Sequence, residues 1–181
     1  SASQNFNVAQ LSQVILTITP DTGHHIASLL LNGENALSLL TEDGKLTIES
    51  MTASASVSVT FAPNVHDVTF RYGETIYQQT QVAYGETITV PDDPKLKGHT
   101  FAGWDKPVPE TMPDSALVFT ALFTVNQYTV TFTIPSEEWT KEFTLDYGAA
   151  ITVPDVPQKP GYTFAGWDKP VPETMPDADL V

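Results

Sequence analysis

The side chains best suited to contact a ligand lie near residue 139. Trp139 directly follows two acidic residues, Glu137 and Glu138. An exposed tryptophan offers a flat apolar face that can stack on a sugar or a peptide, and carboxylates accept hydrogen bonds. We therefore take Trp139, Glu137 and Glu138 as the candidate binding residues. The alternative interpretation is that Trp139 is an ordinary, partly buried strand aromatic.

Other residue pairs that could do chemistry lack supporting partners. His24 and His25 are adjacent, so on a strand they point to opposite faces and cannot easily hold one metal ion. Asp105 and Glu110 could be imagined as the paired carboxylates of a glycosidase. Both recur in a second copy, and duplicated active sites are improbable in modules this small. The sequence predicts no enzyme activity, no metal site and no cofactor.

Composition narrows the classes of partner. The chain has 181 residues, no cysteine and a net charge of −14. Phosphate and anionic-lipid surfaces both require clustered cations, so neither nucleic acid nor an anionic lipid surface is expected as a partner. No stretch approaches the roughly 18 apolar residues of a membrane span, so no direct membrane insertion of this segment is expected. Six carboxylates could hold calcium through oxygen ligands, but they do not fit a spaced calcium loop with its glycine: Asp92, Asp93, Glu137, Glu138, Asp177 and Asp179.

An internal repeat is the strongest signal in the chain. The segment Phe101–Asp114 recurs without change as Phe164–Asp177, 63 residues later. Val68–Phe70 matches Val130–Phe132 at an offset of 62, so the second copy carries one inserted residue before Tyr147. We divide the chain into an N-terminal module (1–65), repeat 1 (66–126) and repeat 2 (127–181).

The residue pattern of the repeats predicts β-strands. Val68, Phe70 and Tyr72 alternate with polar residues, which is the period of a half-buried strand. Further strands are predicted at Gln78–Ala83, Ile88–Val90, Leu117–Thr124 and Lys141–Leu145. The segment that follows Trp104 contains three prolines, which favour an extended or turning path over a helix.

The N-terminal module also reads as β structure. Four strands are predicted, at Val14–Thr19, His25–Leu31, Leu46–Glu49 and Val57–Phe61. Asn32-Gly33 and Asp43-Gly44 are tight-turn signals, and Asn35–Leu40 could form one short helix. A small antiparallel, sandwich-like unit is the simplest architecture, so the predicted fold class is mostly β, built as tandem small modules.

Two expectations concern the ends and joints of the modules. Val181 matches Val118, so repeat 2 is expected to lack its last strand. Its open edge is expected either to be frayed or to make an intermolecular strand contact. The segment Val125–Gln127 contains no flexible Gly/Ser linker, which predicts limited hinging between the repeats.

The repeated residues resemble a known family. The phrase Gly161-Tyr162-Thr163-Phe164-Ala165-Gly166-Trp167, with Tyr147-Gly148 upstream, is similar to the Listeria–Bacteroides repeat, also called the internalin B-repeat. Repeat 1 has His99 in place of the tyrosine. The residues that carry the motif are Tyr84, Gly98, Phe101, Gly103, Trp104, Tyr147, Gly161, Tyr162, Phe164, Gly166 and Trp167. We expect the tryptophans to anchor the module cores rather than to form a sugar platform.

The resemblance implies a role as well as a fold. Members have a β-grasp-like fold and serve as stalk, or as contact surface for a host or matrix protein or glycan, in extracellular bacterial surface proteins. The N-terminal module is similar to short β repeats of Bacteroides surface proteins that accompany leucine-rich repeats. Asp114-Ser115-Ala116 resembles the O-glycosylation sequence used by Bacteroides, which makes Ser115 a candidate acceptor.

Overall fold

The computed structural model describes residues 13–49 and 53–181. Within these residues the chain is mostly β, with eleven strands and two short 3-10 helices but no α-helix. The chain divides into two compact units. The first runs to Thr69 and adds Gln78–Val90 and Val108–Val118; the second comprises Phe70–Tyr77, Pro91–Pro107 and Phe119–Val181.

The N-terminal module contains two small antiparallel sheets. Strand β1 (Val14–Thr17) pairs with β4 (Lys45–Ile48), while β2 (His24–Leu31) lies between β3 (Glu34–Asn35) and β5 (Val57–Pro63). The four strands predicted from alternation are all present, and the two-residue β3 was not predicted. A 3-10 helix at Leu37–Leu39 replaces the predicted short helix.

A shared apolar cluster holds these two sheets together. Its buried members are Leu29, Ala36, Leu46 and Val59, which come from both sheets and from the segment between β3 and the 3-10 helix. Asn32 and Gly33 take positive φ angles of 52° and 85°, as the tight turn between β2 and β3 requires. A sandwich arrangement is consistent with this cluster but stays a prediction.

The first two strands of repeat 2 correspond to the first two strands of repeat 1. In repeat 1, β6 (Val65–Tyr72), β7 (Thr75–Ala83), β8 (His99–Trp104) and β9 (Leu117–Val125) form one sheet in the order β7-β6-β9-β8. In repeat 2, β10 (Gln127–Ile134) pairs antiparallel with β11 (Trp139–Asp146). The β6–β7 connection has two residues, whereas Pro135–Glu138 joins β10 to β11, so the inserted residue falls in this hairpin.

Two details of the predicted strands are wrong. Ile88–Val90 is not a strand. Pro91 ends the run, and the backbone opposite Ile88 belongs to the proline-rich segment after Trp104, which cannot form a regular ladder. Only a single bridge, between Thr87 and Thr111, forms there among the described residues. Conversely, β8 was not predicted, because Gly98 and Gly103 frame it and a register shift between Phe101 and Gly103 interrupts its alternation.

The proline-rich segment supplies one buried core residue to each repeat, Met112 and Met175. The amide of Gly85 donates to Met112 O at 2.9 Å and the amide of Met112 donates to Glu86 O at 2.8 Å. In repeat 2, Gly148 and Met175 make the matching pair of bonds, at 2.8 Å each, with Met175 N–H directed to Ala149 O. Both methionines are 1% exposed. The duplicated sequence therefore buries the same methionine in each repeat.

The tryptophans of the motif occupy matching aromatic clusters. Trp104 lies 4.8 Å from Phe70 between ring centroids, and Trp167 lies 5.0 Å from Phe132. Each tryptophan also meets the motif phenylalanine three positions earlier, at 5.3 Å and 5.2 Å. Both indoles are half-buried, so they contribute to packing.

The C-terminal end of repeat 2 pairs within its own module. Leu180 forms a parallel bridge with Val130, and its amide donates to Thr129 O at 2.9 Å. No strand follows β11 in the described part of the chain. The intermolecular strand contact and the β-grasp arrangement both stay predictions.

Met175→Ala is expected to lower the free energy of unfolding of repeat 2 by about 2–5 kcal/mol, because it leaves a cavity beside Val130 and Phe132. Urea unfolding followed by tryptophan fluorescence measures this change. Val153→Ala, at a side chain 48% exposed, is the control and should cost far less. Equal effects of the two variants would contradict the assignment of Met175 to the core.

Candidate functional site: the junctions between modules

The structure places the predicted binding tryptophan against a core. The Trp139 ring stacks on Trp167, with 6.2 Å between centroids and 25° between planes, and it packs against the buried cluster of Val130, Phe132 and Met175. It is half-buried. The Trp139 side chain therefore packs as part of repeat 2. Its role in binding stays a prediction.

The two predicted acidic residues lie in the hairpin beside it. Glu137 and Glu138 are exposed, and Glu137 Oε1 accepts a hydrogen bond from Lys159 Nζ at 2.5 Å. Glu138 has a positive φ of 50° and ends the second 3-10 helix. Glu137 is thus already paired with a cation of its own repeat.

A shallow cavity of about 180 Å³ adjoins this ion pair. Its lining includes Glu137, Lys159, Tyr162, Thr163 and Phe164. Pockets that enclose a small-molecule ligand usually measure about 300–1,000 Å³. The cavity is therefore smaller than the pockets that usually enclose a small-molecule ligand.

Three turns with the same hydrogen bond and similar backbone angles define a different kind of site. In each, the residue after a glycine donates its amide to the carbonyl three residues earlier, at 3.0 Å: His24 to Asp21, His99 to Leu96, and Tyr162 to Lys159. The central glycines have φ angles of +74° (Gly23), +70° (Gly98) and +81° (Gly161). We call these the first, second and third glycine turns.

The tyrosine of the following repeat covers each of the first two turns. The Tyr84 ring lies on Gly23, and the Tyr147 ring lies on Gly98, so closely that a Cβ atom on either glycine would overlap the ring. The histidine next to each glycine meets the same tyrosine edge-on, at 5.9 Å and 6.1 Å between centroids. The motif tyrosines Tyr84 and Tyr147 therefore act at joints.

A single asparagine links the modules at each joint. Asn64 is the only residue between β5 and β6, and Asn126 is the only residue between β9 and β10. The amide of Asn64 donates to Gly23 O, and Asn64 O accepts from the amide of Tyr84, both at 2.7 Å. Asn126 bonds in the same way to Gly98 and Tyr147, at 2.9 Å and 2.8 Å.

The side-chain amide of Asn64 is held from both sides. His25 Nδ1 lies 3.1 Å from Asn64 Oδ1, and Asn64 Nδ2 donates to Asp114 Oδ1 at 2.8 Å. His66 Nε2 approaches the same carboxylate oxygen at 2.8 Å. The linker residue therefore connects a strand of the N-terminal module with the loop of repeat 1 that carries Asp114. We call this loop, and its counterpart around Asp177 in repeat 2, the acidic loop.

Asn126 makes the equivalent connections with different neighbours. Thr100 Oγ1 donates to Asn126 Oδ1 at 2.6 Å, and Asn126 Nδ2 donates to the Tyr128 hydroxyl at 3.2 Å. The Tyr128 hydroxyl in turn donates to Asp177. A tyrosine thus relays the contact between the asparagine and the carboxylate that is direct in the first junction.

These bonds shift the pKa values of two groups. Hydrogen bonds from Asn64 and then His66 lower the pKa of Asp114 below its ordinary value. The hydrogen bond to Asp177 raises the pKa of the Tyr128 phenol, because ionisation would place two negative charges together. The hydrogen bonds of the first junction therefore favour the ionised form of Asp114.

Sequence reasoning found part of this site. It identified the motif tyrosines and glycines, and it predicted limited hinging at Val125–Gln127. It missed Gly23, Asn64 and Asp114 as junction residues. The signal was present, because Gly23-His24 matches Gly98-His99 and Asn64 lies 62 positions before Asn126.

Few other features of a binding or catalytic site occur in the described ranges. No group of three or more His, Asp or Glu residues in 13–49 and 53–181 could hold a metal ion. No helix among these residues is long and apolar enough to cross a bilayer. Ser115, the candidate glycosylation site, is exposed beside Asp114.

The fold and the duplicated joints define a tandem-repeat protein made of small β modules. The sequence profile of the Listeria–Bacteroides repeat domain matches residues 66–108 and 128–170. These two segments of the chain belong to the Listeria–Bacteroides repeat family, which confirms the resemblance seen in the sequence.

Longer bacterial proteins contain related sequence. A putative membrane protein of Evansella cellulosilytica is 31% identical in an alignment that covers 71% of this chain and 21% of that protein. A putative Gly-rich membrane protein of the same organism is 32% identical over 58% of this chain and 13% of its own length. Internalin H of Listeria monocytogenes is 36% identical over 50% of this chain and 18% of its own length. The chain thus spans about a fifth or less of these relatives.

Gly98→Ala and Gly161→Ala test the tyrosine contact with matched backbones. An alanine at either glycine is expected to cost about 1–2 kcal/mol for its left-handed φ. Only Gly98→Ala also forces Tyr147 away, which should add about 1–3 kcal/mol of overpacking. Chemical denaturation of the two variants measures the difference. Equal losses of stability would show that the ring contact at Gly98 does not stabilise the junction.

Asp114→Asn tests the charge at the first junction. Because the folded pKa of Asp114 is lowered, its carboxylate contributes stability above its unfolded pKa of about 3.9, and this contribution is lost as the pH falls through the folded pKa. We expect Asp114→Asn to be less stable at neutral pH and to lose less stability on acidification. Thermal unfolding from pH 7 to pH 3 measures both effects. Asp93→Asn, at an exposed loop carboxylate, should keep the wild-type slope.

Proposed function

We propose that this chain is a non-catalytic segment of an extracellular bacterial surface protein and that its tandem modules act as a stalk or spacer. One observation carries the proposal: the same joint, made of a glycine turn, a one-residue asparagine linker and a tyrosine, is built twice. A spacer must hold its modules in order along the chain, and each joint supplies fixed contacts for doing so.

The chemistry of the linkers supports a spacer over a flexible tether. A Gly/Ser linker leaves neighbouring modules free to reorient. Here each linker is a single asparagine whose backbone N–H and C=O and side-chain amide are all hydrogen-bonded. Each joint therefore restrains the linker backbone through several bonds to both modules.

The relatives support the proposed location. Two are described as putative membrane proteins, and the third is an internalin. Each is several times longer than the matched region, which is the expected context for a repeat segment between other domains. The net charge of −14 suits a well-solvated module.

The alternative is a module that binds a glycan, a host or matrix protein, or a peptide. Its residues would be Trp139, Glu137 and Glu138. Trp139 is half-buried against Trp167 and Glu137 is paired with Lys159. With the adjoining cavity at about 180 Å³, these contacts favour the spacer.

Backbone order at the linkers tests the spacer. In ¹⁵N relaxation measurements on the whole chain, we expect the amides of Asn64 and Asn126 to have order parameters near 0.85, as in the flanking strands. Values below about 0.6 at both linkers would contradict a spacer with ordered joints. Gly98→Ala should lower the value at Asn126 and leave Asn64 unchanged, which makes each joint the control for the other.

A glycan and matrix-protein array tests the alternative. We expect no binding above background by the intact chain. Binding that is lost in Trp139→Ala but kept in Trp139→Phe, with both variants folded by circular dichroism, would replace the spacer by a recognition module. The phenylalanine variant is needed because Trp139 also packs on the core of repeat 2.

A further inference from the structure

The third glycine turn repeats the first two but has no tyrosine on it. Gly23 and Gly98 are buried, whereas Gly161 is exposed. Apart from its two chain neighbours, no described residue has an atom within 4 Å of the position that a Cβ on Gly161 would take. Tyr162, next to it, is 72% exposed. The turn keeps the same 3.0 Å hydrogen bond and a φ of +81°.

We propose that the surface formed by Gly161, Tyr162 and Thr163 is a docking site for a further Listeria–Bacteroides repeat, which would seat its linker asparagine and its Tyr-Gly tyrosine there. The inference rests on the proposed spacer function and names the partner of this surface. The contacts are those of an interface already formed twice in the same chain.

Each position of the surface matches a position used in the occupied turns. Gly161 corresponds to Gly98, whose carbonyl accepts from the linker amide at 2.9 Å. Thr163 corresponds to Thr100, whose hydroxyl donates to the linker side chain at 2.6 Å. A docked repeat would therefore meet the Gly161 carbonyl, the Thr163 hydroxyl and the uncovered Gly161 backbone. Asn126 and Tyr147 contact the equivalent groups in the second junction.

Tyr162 differs in chemical type from the residues at the same position of the first two turns, which are histidines. His24 and His99 each present an edge to the incoming tyrosine, and each ring also bonds to a backbone carbonyl two residues earlier. A tyrosine keeps the edge-on aromatic contact and offers a larger apolar face. At present Lys159 Nζ lies over this ring at 4.9 Å, so docking has to share or displace a cation contact.

A second copy of this chain is a poor occupant of the surface. Its two linker asparagines, Asn64 and Asn126, are already bonded to the carbonyls of Gly23 and Gly98. Tyr84 and Tyr147 already lie on those glycines. Self-association would have to open a junction that is already formed. A further repeat joined in tandem supplies its own linker asparagine and tyrosine, neither of which is yet bonded.

An extended chain tests the proposal. Val181 matches Val118, so a second copy of Phe119–Val181 placed after Val181 continues the repeat in frame and adds a new linker asparagine, the copy of Asn126. Hydrogen exchange followed by NMR reports on its amide. We expect it to exchange as slowly as Asn126 and at least about tenfold slower than an open amide.

Gly161→Ala supplies the matched variant in the original and the extended chains. In the extended chain it should abolish the protection of the new asparagine amide and leave Asn126 protected. In the original chain it should leave the protection of both linkers unchanged. If the new amide stays protected in Gly161→Ala, the glycine turn is not the docking site.

The remaining outcomes separate the two proposals. A freely exchanging new amide, beside protected Asn64 and Asn126, would overturn the docking site and leave the spacer intact. Free exchange at all three linkers would overturn both. Loss of protection in the hairpin of the added repeat would also count against docking, because the same sequence forms β10 and β11 next to the Gly98 turn.

Discussion

The close approach of a tyrosine ring to the backbone of a left-handed glycine is the contact on which each junction depends. A side chain on Gly23 or Gly98 would occupy the space of the ring, and a positive φ would strain any other residue. The same turn directs its carbonyl to the linker amide. One backbone conformation therefore sets both the apolar and the hydrogen-bonded halves of the joint.

Around this contact the two junctions exchange residues without changing their plan. His25 is replaced by Thr100 as the partner of the asparagine oxygen, and His66 is replaced by Tyr128 beside the acidic loop. The asparagine tolerates these changes because its amide offers both an acceptor and donors. The two junctions share their geometry because the backbone bonds are the same and because the asparagine side chain can both donate and accept hydrogen bonds.

Prediction from sequence worked where a local period decides the structure. The alternation of Val68, Phe70 and Tyr72 predicts β6, and the exact copy of Phe101–Asp114 predicts a second module. It failed at Ile88–Val90, where three β-favouring residues have only a proline-containing partner. It also missed β8, since the glycines that frame this strand look like turn signals until the neighbouring β9 is known.

The sequence by itself determined the repeat, its family, the mostly β class and the positions of the tight turns, because each depends on local residue type or on self-similarity. Only the tertiary structure decided that Met112 and Met175 are buried, that Trp139 stacks on Trp167, and which residues touch Asn64 and Asn126. These contacts join residues from separate strands and loops. Their partners are set by how the strands pair and by how the loops return to them, which no local pattern encodes.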